Sequence, residues 1–147
     1  MTIQTQIESA LKEAMKAKDD LRKRTLRMAL SSIRLAEIDK GSHLDDQAVT
    51  SILQKEVKTR QEAIEEAQRA HRPDLEADSQ AEIAVLEGYL PRQLFPQELE
   101  QLARLVIGEV GASSLREMGQ VMKVLMPRLQ GRATGEQASQ VVRRLLG

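Results

Sequence analysis

Aliphatic residues recur at three- and four-residue intervals along nearly the whole chain, and this helical period is the feature that most limits its fold. A typical apolar stripe consists of Leu99, Leu102, Ala103, Val106 and Ile107. Aromatic residues are confined to Tyr89 and Phe95, so aliphatic side chains must form the core. Strands favour β-branched and aromatic residues, whereas Leu, Ala and Met favour helices. We therefore predict an all-α protein.

Glycine and proline divide this pattern into seven predicted helices. Gly41 and Gly111 stand where helices should end, because glycine readily adopts the left-handed conformation of a helix C-terminus. Pro73 and Pro96 stand where helices should begin, since a proline at the first helical position loses no helical hydrogen bond.

A break between two units is predicted near Pro91, because a proline disfavours helix at the residue before it. The predicted architecture is an N-terminal four-helix unit over residues 1–92, followed by a small three-helix C-terminal domain over residues 93–147. The second unit is below the size at which a lone core is comfortably stable. We therefore expect it to pack against the first unit or a partner.

Charge is balanced overall but segregated along the chain. Lys and Arg together number 22, as do Asp and Glu. Residues 41–109 carry 7 basic and 14 acidic side chains, whereas residues 110–147 carry 6 and 2. The overall balance argues against indiscriminate nucleic-acid binding, but a basic C-terminal segment can meet a phosphate backbone locally. Ordinary solvated helix faces are the alternative explanation.

The chain contains no cysteine, which excludes disulfides and thiolate chemistry and fits a reducing compartment. No apolar run approaches the ~20 residues of a membrane span. The N-terminal residues also lack the apolar stretch of a signal peptide. We therefore expect a cytoplasmic protein with no membrane partner.

Patterns typical of catalysis or metal binding are absent from the sequence. The two histidines, His43 and His71, lie far apart, and Gly131 and Gly135 lack the spacing and the Lys-Ser/Thr ending of a phosphate-binding loop. We expect no cofactor, no metal and no self-contained catalytic site. The enzyme alternative would require a deep pocket converging on Arg60 with several carboxylates.

Arg60 falls in the middle of an apolar stripe that contains Leu53, Val57 and Ile64. A buried charge without a partner is costly. We therefore expect an ion pair between Arg60 and an acid of a neighbouring helix, for example Glu87.

A basic face of the second predicted helix consists of Lys23, Arg27, Ser31 and Arg34. Leu26 and Ile33 flank it on one side, and Met28 and Leu35 flank it on the other. One interpretation is a solvated ridge between two packed sides. The other is a docking surface for phosphates.

The most specific pattern predicts a helix, a glycine-bounded turn and a new helix start near the C-terminus. It reads Gly119-Gln120-Val121-Met122-Lys123, then Met126-Pro127-Arg128, then Gly131-Arg132-Ala133-Thr134-Gly135. Arg128 and Arg132 would lie beside the unpaired N–H groups of the next helix, an end that attracts anions, with Lys123 about one turn before the loop. The alternative is an ordinary helix junction with solvated arginines.

This stretch resembles the YqeY family and the tail domain of the GatB subunit of tRNA-dependent amidotransferases. The resemblance covers nearly the whole chain and includes Leu11 to Asp19, Arg24 to Leu30, Ala36 to Gly41, Leu53 to Arg60, Leu90 to Leu94 and Gly111 to Ser114. Thr134 stands where the family pattern usually has Asp, and either residue can cap a helix.

The resemblance implies a helical bundle joined to a small helical domain that contacts tRNA. The amidotransferase is a carbon–nitrogen ligase with glutamine as amido donor, but its catalytic domains have no counterpart in this sequence. For this sequence, the resemblance implies a set of candidate RNA-binding residues: Lys123, Arg128, Arg132, Arg143 and Arg144. It also implies that Gly119, Gly131 and Gly135 are hinge or motif residues.

The predicted function is a stand-alone tRNA-binding accessory module that is not catalytic by itself. Because aromatic residues are so few, folded RNA is favoured over single-stranded RNA. The alternative is a protein–protein adaptor that docks on an aminoacyl-tRNA synthetase or an amidotransferase complex.

Overall fold

The computed structural model describes residues 2–147, and it confirms the predicted all-α class. The helices are α1 (Ile3–Lys16), α2 (Asp20–Lys40), α3 (Asp46–Arg69), α4 (Pro73–Glu87), α5 (Pro96–Val110), α6 (Met118–Leu129) and α7 (Gly135–Leu146). A short 3₁₀ turn, Leu115–Glu117, precedes α6. No strand occurs within residues 2–147.

Local chemistry explains most of the helix ends. Asp45 caps α3 by accepting the Ala48 N–H at 2.8 Å. Gly41 and Gly111 end α2 and α5 with left-handed φ values of 79° and 73°, as glycine permits. At α7, the Thr-x-x-Gln pattern of Thr134 and Gln137 predicts a reciprocal cap, and the two residues form it.

A first compact unit ends at Leu90 and contains α1 to α4. Helix α2 packs against each of the other three helices, and α3 lies along α4. The buried core consists of Ile7, Leu26, Ala29, Leu30, Ile33, Val49, Leu53 and Leu86.

A second compact unit runs from Pro91 to Gly147 and contains α5, α6 and α7, each packed against the other two. Its core consists of Leu99, Ala103, Val106, Val121, Leu125, Leu129, Ala133, Ala138 and Val142. The assignment of residues 1–92 and 93–147 as separate domains stays a prediction.

Two local patterns in the second unit predict features that the structure does not contain: Pro127 and Gly131 would bracket a loop, and Ser114 with Glu117 would form a capping box. Pro127 lies inside α6 rather than at the edge of a loop. A proline inside a helix forfeits one hydrogen bond, but burial of Leu129 keeps the chain helical past it. At the other end of α6, Glu117 accepts hydrogen bonds from the N–H and hydroxyl of Ser113, not of Ser114.

Candidate functional site

Arg60 is buried among carboxylates, with its side chain only 6% exposed. Its Nε donates to Glu82 Oε2 of α4 at 3.0 Å, and a guanidinium NH₂ group lies 2.7 Å from Glu56 Oε2 on its own helix. Arg24 of α2 pairs with the other oxygen of Glu82 at 3.3 Å. The predicted ion pair with a neighbouring helix is therefore present, with Glu82 in place of the suggested Glu87. This network joins α2, α3 and α4 and accounts for the buried charge without a ligand.

The basic face of α2 differs from the predicted ridge between two packed sides. Leu26 and Ile33 are buried on one flank, but Met28 and Leu35 on the other are 51% and 62% exposed. Packing against neighbouring helices covers only one flank, which the helical pattern of α2 cannot reveal. An open groove of about 440 Å³ is lined by Lys23, Arg24, Arg27, Met28, Ser31 and Ser32. The exposed face is thus both apolar and cationic.

Two segments far apart in sequence meet in the second unit, and we call residues 91–95 together with residues 130–133 the junction. The Leu94 N–H donates to the Arg132 carbonyl at 2.8 Å, and Arg132 Nε donates to the Arg92 carbonyl at 2.9 Å. The side-chain amide of Gln93 donates to the Gly131 carbonyl at 3.1 Å. These bonds fix Arg92 and Arg132 next to each other.

The turn in the junction depends on two consecutive left-handed residues. Gln130 has a φ of 51° and Gly131 a φ of 74°. A left-handed conformation is costly for a residue with a Cβ and cheap for glycine. Of the three motif glycines, Gly131 therefore has the clearest conformational role. Gly119 lies within α6, and Gly135 is the first residue of α7.

Arg92 and Phe95 form a cation–π pair at the start of α5. The Arg92 guanidinium carbon lies 5.7 Å from the centre of the Phe95 ring, and the phenylalanine is 62% exposed. Glu98 accepts the Phe95 N–H at 2.9 Å and the Arg92 guanidinium at 3.0 Å. The pKa of the Glu98 carboxyl is lowered, chiefly by that Phe95 N–H and then by Arg92. Glu98 thus orients both members of the pair.

Sequence reasoning did not single out Arg92 and Phe95 as site residues. The sequence did offer one indication of these residues. Arg92 belongs to the family-like stretch from Leu90 to Leu94, and Phe95 follows that stretch directly, just before the proline that opens α5. The contact with residues 130–133 has no counterpart in local sequence.

Arg128 is engaged by a carboxylate of its own unit. Its two guanidinium NH₂ groups lie 3.1 and 2.5 Å from the two oxygens of Glu109. The hydrogen bonds from Arg128 lower the pKa of Glu109, and those same bonds raise the pKa of Arg128. Arg128 therefore reaches an anionic ligand only by exchanging this partner.

Lys123 is exposed on α6 and pairs with no carboxylate within residues 2–147. It is five residues from Arg128, so the two side chains leave the helix about 140° apart. The structure therefore places Lys123 and Arg128 on different sides of α6.

Arg143 and Arg144 are exposed in the last turn of α7. Arg144 lies 3.7 Å from Glu100, which also accepts from Arg104 at 2.9 Å. Arg143 pairs with no carboxylate in the described part of the chain. Among the predicted RNA-binding residues, Arg128 and Arg144 thus pair with acids, whereas Lys123 and Arg143 pair with no carboxylate within residues 2–147.

None of the helices in residues 2–147 combines the length and the apolar character needed to span a membrane. Within the same residues, no group of three or more His, Cys, Asp or Glu side chains is arranged to hold a metal ion.

A family model described as Yqey-like protein matches residues 4–146. The chain is also similar to proteins named "Altered inheritance of mitochondria protein 41, mitochondrial". The Lachancea thermotolerans protein is 39% identical over 95 residues, which are 64% of this chain and 51% of that protein. The Pyrenophora tritici-repentis protein is 30% identical over 145 residues, covering 96% of this chain and 79% of the relative.

A third relative, from Vanderwaltozyma polyspora, is 34% identical over 97 residues, 64% of this chain and 52% of its own length. The chain thus spans about half the length of two of these relatives. All three are named as mitochondrial proteins, so the predicted cytoplasmic location is wrong. Composition did not decide the location, because a cysteine-free helical chain is compatible with more than one compartment.

Proposed function

We propose, because the chain belongs to the YqeY family, that it is a stand-alone accessory module that binds tRNA and is not catalytic by itself. The proposed ligand is folded RNA, held through its phosphate backbone by the second unit. Contacts to phosphates recognise the shape of an RNA rather than its sequence. A relation to the amidotransferase tail belongs to this proposal, and no amidotransferase chemistry is proposed.

The junction is the observation that supports the proposal most. It brings the two family-like stretches at residues 90–94 and 131–135 into hydrogen-bonded contact and holds the cations Arg92 and Arg132 together. Arg132 donates to a main-chain carbonyl in this contact, and the single carboxylate of Glu98 interacts electrostatically with both arginines, so the group of three keeps a net positive charge. Residues 91–147 carry eight basic and five acidic side chains, so the unit as a whole is cationic.

The proposed RNA-binding residues fall into two groups according to their present partners. Lys123, Arg132 and Arg143 are the primary contacts, because Lys123 and Arg143 pair with no carboxylate among residues 2–147 and Arg132 bonds a carbonyl. Arg128 and Arg144 would contribute by exchanging Glu109 and Glu100 for phosphate oxygens. Breaking these ion pairs costs free energy, so each of the two contacts would contribute less to the free energy of RNA binding.

The test is a salt titration of tRNA binding to the variant with Lys123→Ala and Arg132→Ala. Two lost phosphate contacts should weaken binding by about tenfold or more and reduce the slope of log affinity against log salt by about two. Fluorescence anisotropy with labelled total tRNA measures both quantities, and circular dichroism verifies that the variant is folded.

The matched control is the variant with Lys12→Ala and Arg69→Ala. Both residues are exposed in the first unit, so the same formal charge is removed away from the proposed site. Its affinity and salt slope should equal those of the unaltered protein. Equal losses in the two variants would reject the assigned site, and a wild-type protein that binds no tRNA would reject the function.

A second candidate function is a protein–protein adaptor that docks on an aminoacyl-tRNA synthetase or an amidotransferase complex. The exposed apolar side chains on α2, Leu35 and Ile38 beside the cation Arg34, favour it. After nuclease treatment an adaptor retains its partner, whereas an RNA-bridged contact is lost. Loss of the nuclease-resistant partner in the variant with Leu35→Glu and Ile38→Glu would place the contact on α2.

A further inference from the structure

We infer that Arg92 and Phe95 form a stacking subsite for one unpaired nucleobase of the bound RNA. This inference rests on the proposed function and adds a chemical class of ligand to it: a single-stranded nucleotide beside a folded stem. The subsite lies within the second unit and consists of the Phe95 ring, the Arg92 guanidinium and the neighbouring Arg132.

Phe95 is unusually placed for the only aromatic residue of the second unit. This residue is 62% exposed. The next most exposed large apolar residue of the second unit is Leu105, at 56%. An aromatic ring buries well, and this one remains outside the core. A planar ring open to solvent offers a surface on which any base can stack.

The subsite is organised before a ligand arrives. Glu98 holds the Phe95 main chain at 2.9 Å and the Arg92 guanidinium at 3.0 Å, and the guanidinium lies 5.7 Å from the ring centre. The junction fixes the main chain of Arg92 through its carbonyl, which accepts from Arg132 at 2.9 Å. The main chain of both residues and the Arg92 guanidinium are thus held before binding, which lowers the conformational entropy that a ligand must remove.

The chemistry of the three side chains favours a nucleotide over an apolar peptide. Both a guanidinium group and a phenyl ring stack on a flat base, and the cation Arg132 next to them can take the phosphate of the same nucleotide. An apolar peptide offers these groups neither a flat base to stack on nor a phosphate for the arginines. One aromatic ring suits one base, which agrees with a ligand that is otherwise folded.

The experiment compares two RNA probes that differ in one feature. Both are the same short hairpin closed by a structured tetraloop; one is blunt and the other carries a single-stranded 3′ adenosine extension. The full chain should bind the extended hairpin at least about fivefold more tightly in fluorescence anisotropy, the low end of what stacking one base contributes.

Three substitutions identify the groups responsible. Phe95→Leu keeps an apolar side chain and removes the flat ring, so it should abolish the preference and leave affinity for the blunt hairpin unchanged. Phe95→Tyr should keep the preference. Arg92→Lys keeps the charge without the guanidinium plane and should reduce it. Leu105→Ala, at a similarly exposed site on α5, is the matched control and should leave both affinities unchanged.

Each outcome bears on a stated proposal. If the wild-type protein binds both hairpins equally, or if Phe95→Leu keeps the preference, the stacking subsite is overturned while RNA binding stands. If Phe95→Leu weakens both hairpins equally, Phe95 acts in general binding and the subsite is again overturned. If the wild-type protein binds neither hairpin nor tRNA, the proposed function and the subsite fail together.

Discussion

Arg60 in the first unit and Arg132 in the second each donate a hydrogen bond of about the same length, 3.0 and 2.9 Å, but to different kinds of acceptor. Arg60 is almost completely buried and bonds the carboxylates of Glu56 and Glu82. Arg132 is partly exposed and bonds a main-chain carbonyl. A buried charge must be neutralised to be tolerated, whereas an exposed one that bonds a carbonyl keeps its full charge.

This difference separates a stabilising role from a binding role. The arginine of the first unit is needed for its fold, because breaking its ion pairs with Glu56 and Glu82 would leave a buried cation unpaired. The arginine of the second unit keeps a net charge for a polyanion. Arg128 lies between these extremes, since it is exposed but held by Glu109.

The largest expected effect is on stability, from Arg60→Met. Removing one partner of a buried ion pair typically costs 3–5 kcal/mol, and we expect about 3 kcal/mol because Arg24 and Ser32 still contact the two acids. Urea unfolding followed by circular dichroism measures the free energy of unfolding. Lys55→Met, at an exposed position of α3, is the control and should change it by less than about 0.5 kcal/mol. If Arg60→Met lowered the free energy of unfolding by less than about 1 kcal/mol, Arg60 would not have the stabilising role that distinguishes it from Arg132.

A smaller effect is expected on RNA affinity from Glu109→Gln. This change leaves Arg128 charged and removes its carboxylate partner, so Arg128 becomes available to a phosphate. The affinity for tRNA should rise by about threefold, and the salt slope should become steeper by about one. Anisotropy titrations at several salt concentrations measure both.

The control for that change is Glu62→Gln, an exposed acid of α3 in the first unit. It raises the net charge by the same amount away from the proposed site. If both variants gain affinity equally, net charge alone is responsible and Arg128 has no specific contact.

The smallest expected effect is a pH dependence of the pair between Arg128 and Glu109. Because Arg128 holds the pKa of Glu109 below its usual 4.5, the pair contributes its full stabilisation above that pH. The contribution is lost as the pH falls through the lowered pKa of the folded protein. NMR titration of the Glu109 carboxyl carbon should show the low pKa, and Arg128→Gln should return it towards 4.5. An unchanged pKa in that variant would show that another group sets it.

The helix ends were predictable because their causes are local. Asp45, Pro73, Pro96, Gly41 and Gly111 act through the main chain within a few residues, so the sequence alone places them. The burial of Arg60 followed from its place in an apolar stripe, and so did its need for an acid. Which acid pairs with Arg60 depends on how α4 lies against α3: Glu82 does so, and the suggested Glu87, five residues further along α4, leaves the helix about 140° away from it.

Other features were missed because they depend on which surfaces meet. Helix α6 continues past Pro127 because Leu129 is buried in the core of the second unit. Met28 is as hydrophobic as the buried Leu26, yet it is exposed. The sequence of α2 alone does not show that neighbouring helices pack against only one flank of this helix.

The amino-acid sequence by itself determined the helical class, most of the positions at which helices begin and end, and the family, since these depend on residue type and spacing along the chain. Tertiary structure decided which charges are neutralised and which stay available. It paired Arg128 with Glu109, set Arg132 against the carbonyl of Arg92, and left Phe95 outside the core. The reason is that partners and solvent exposure are set by contacts between segments far apart in sequence, such as residues 91–95 and 130–133.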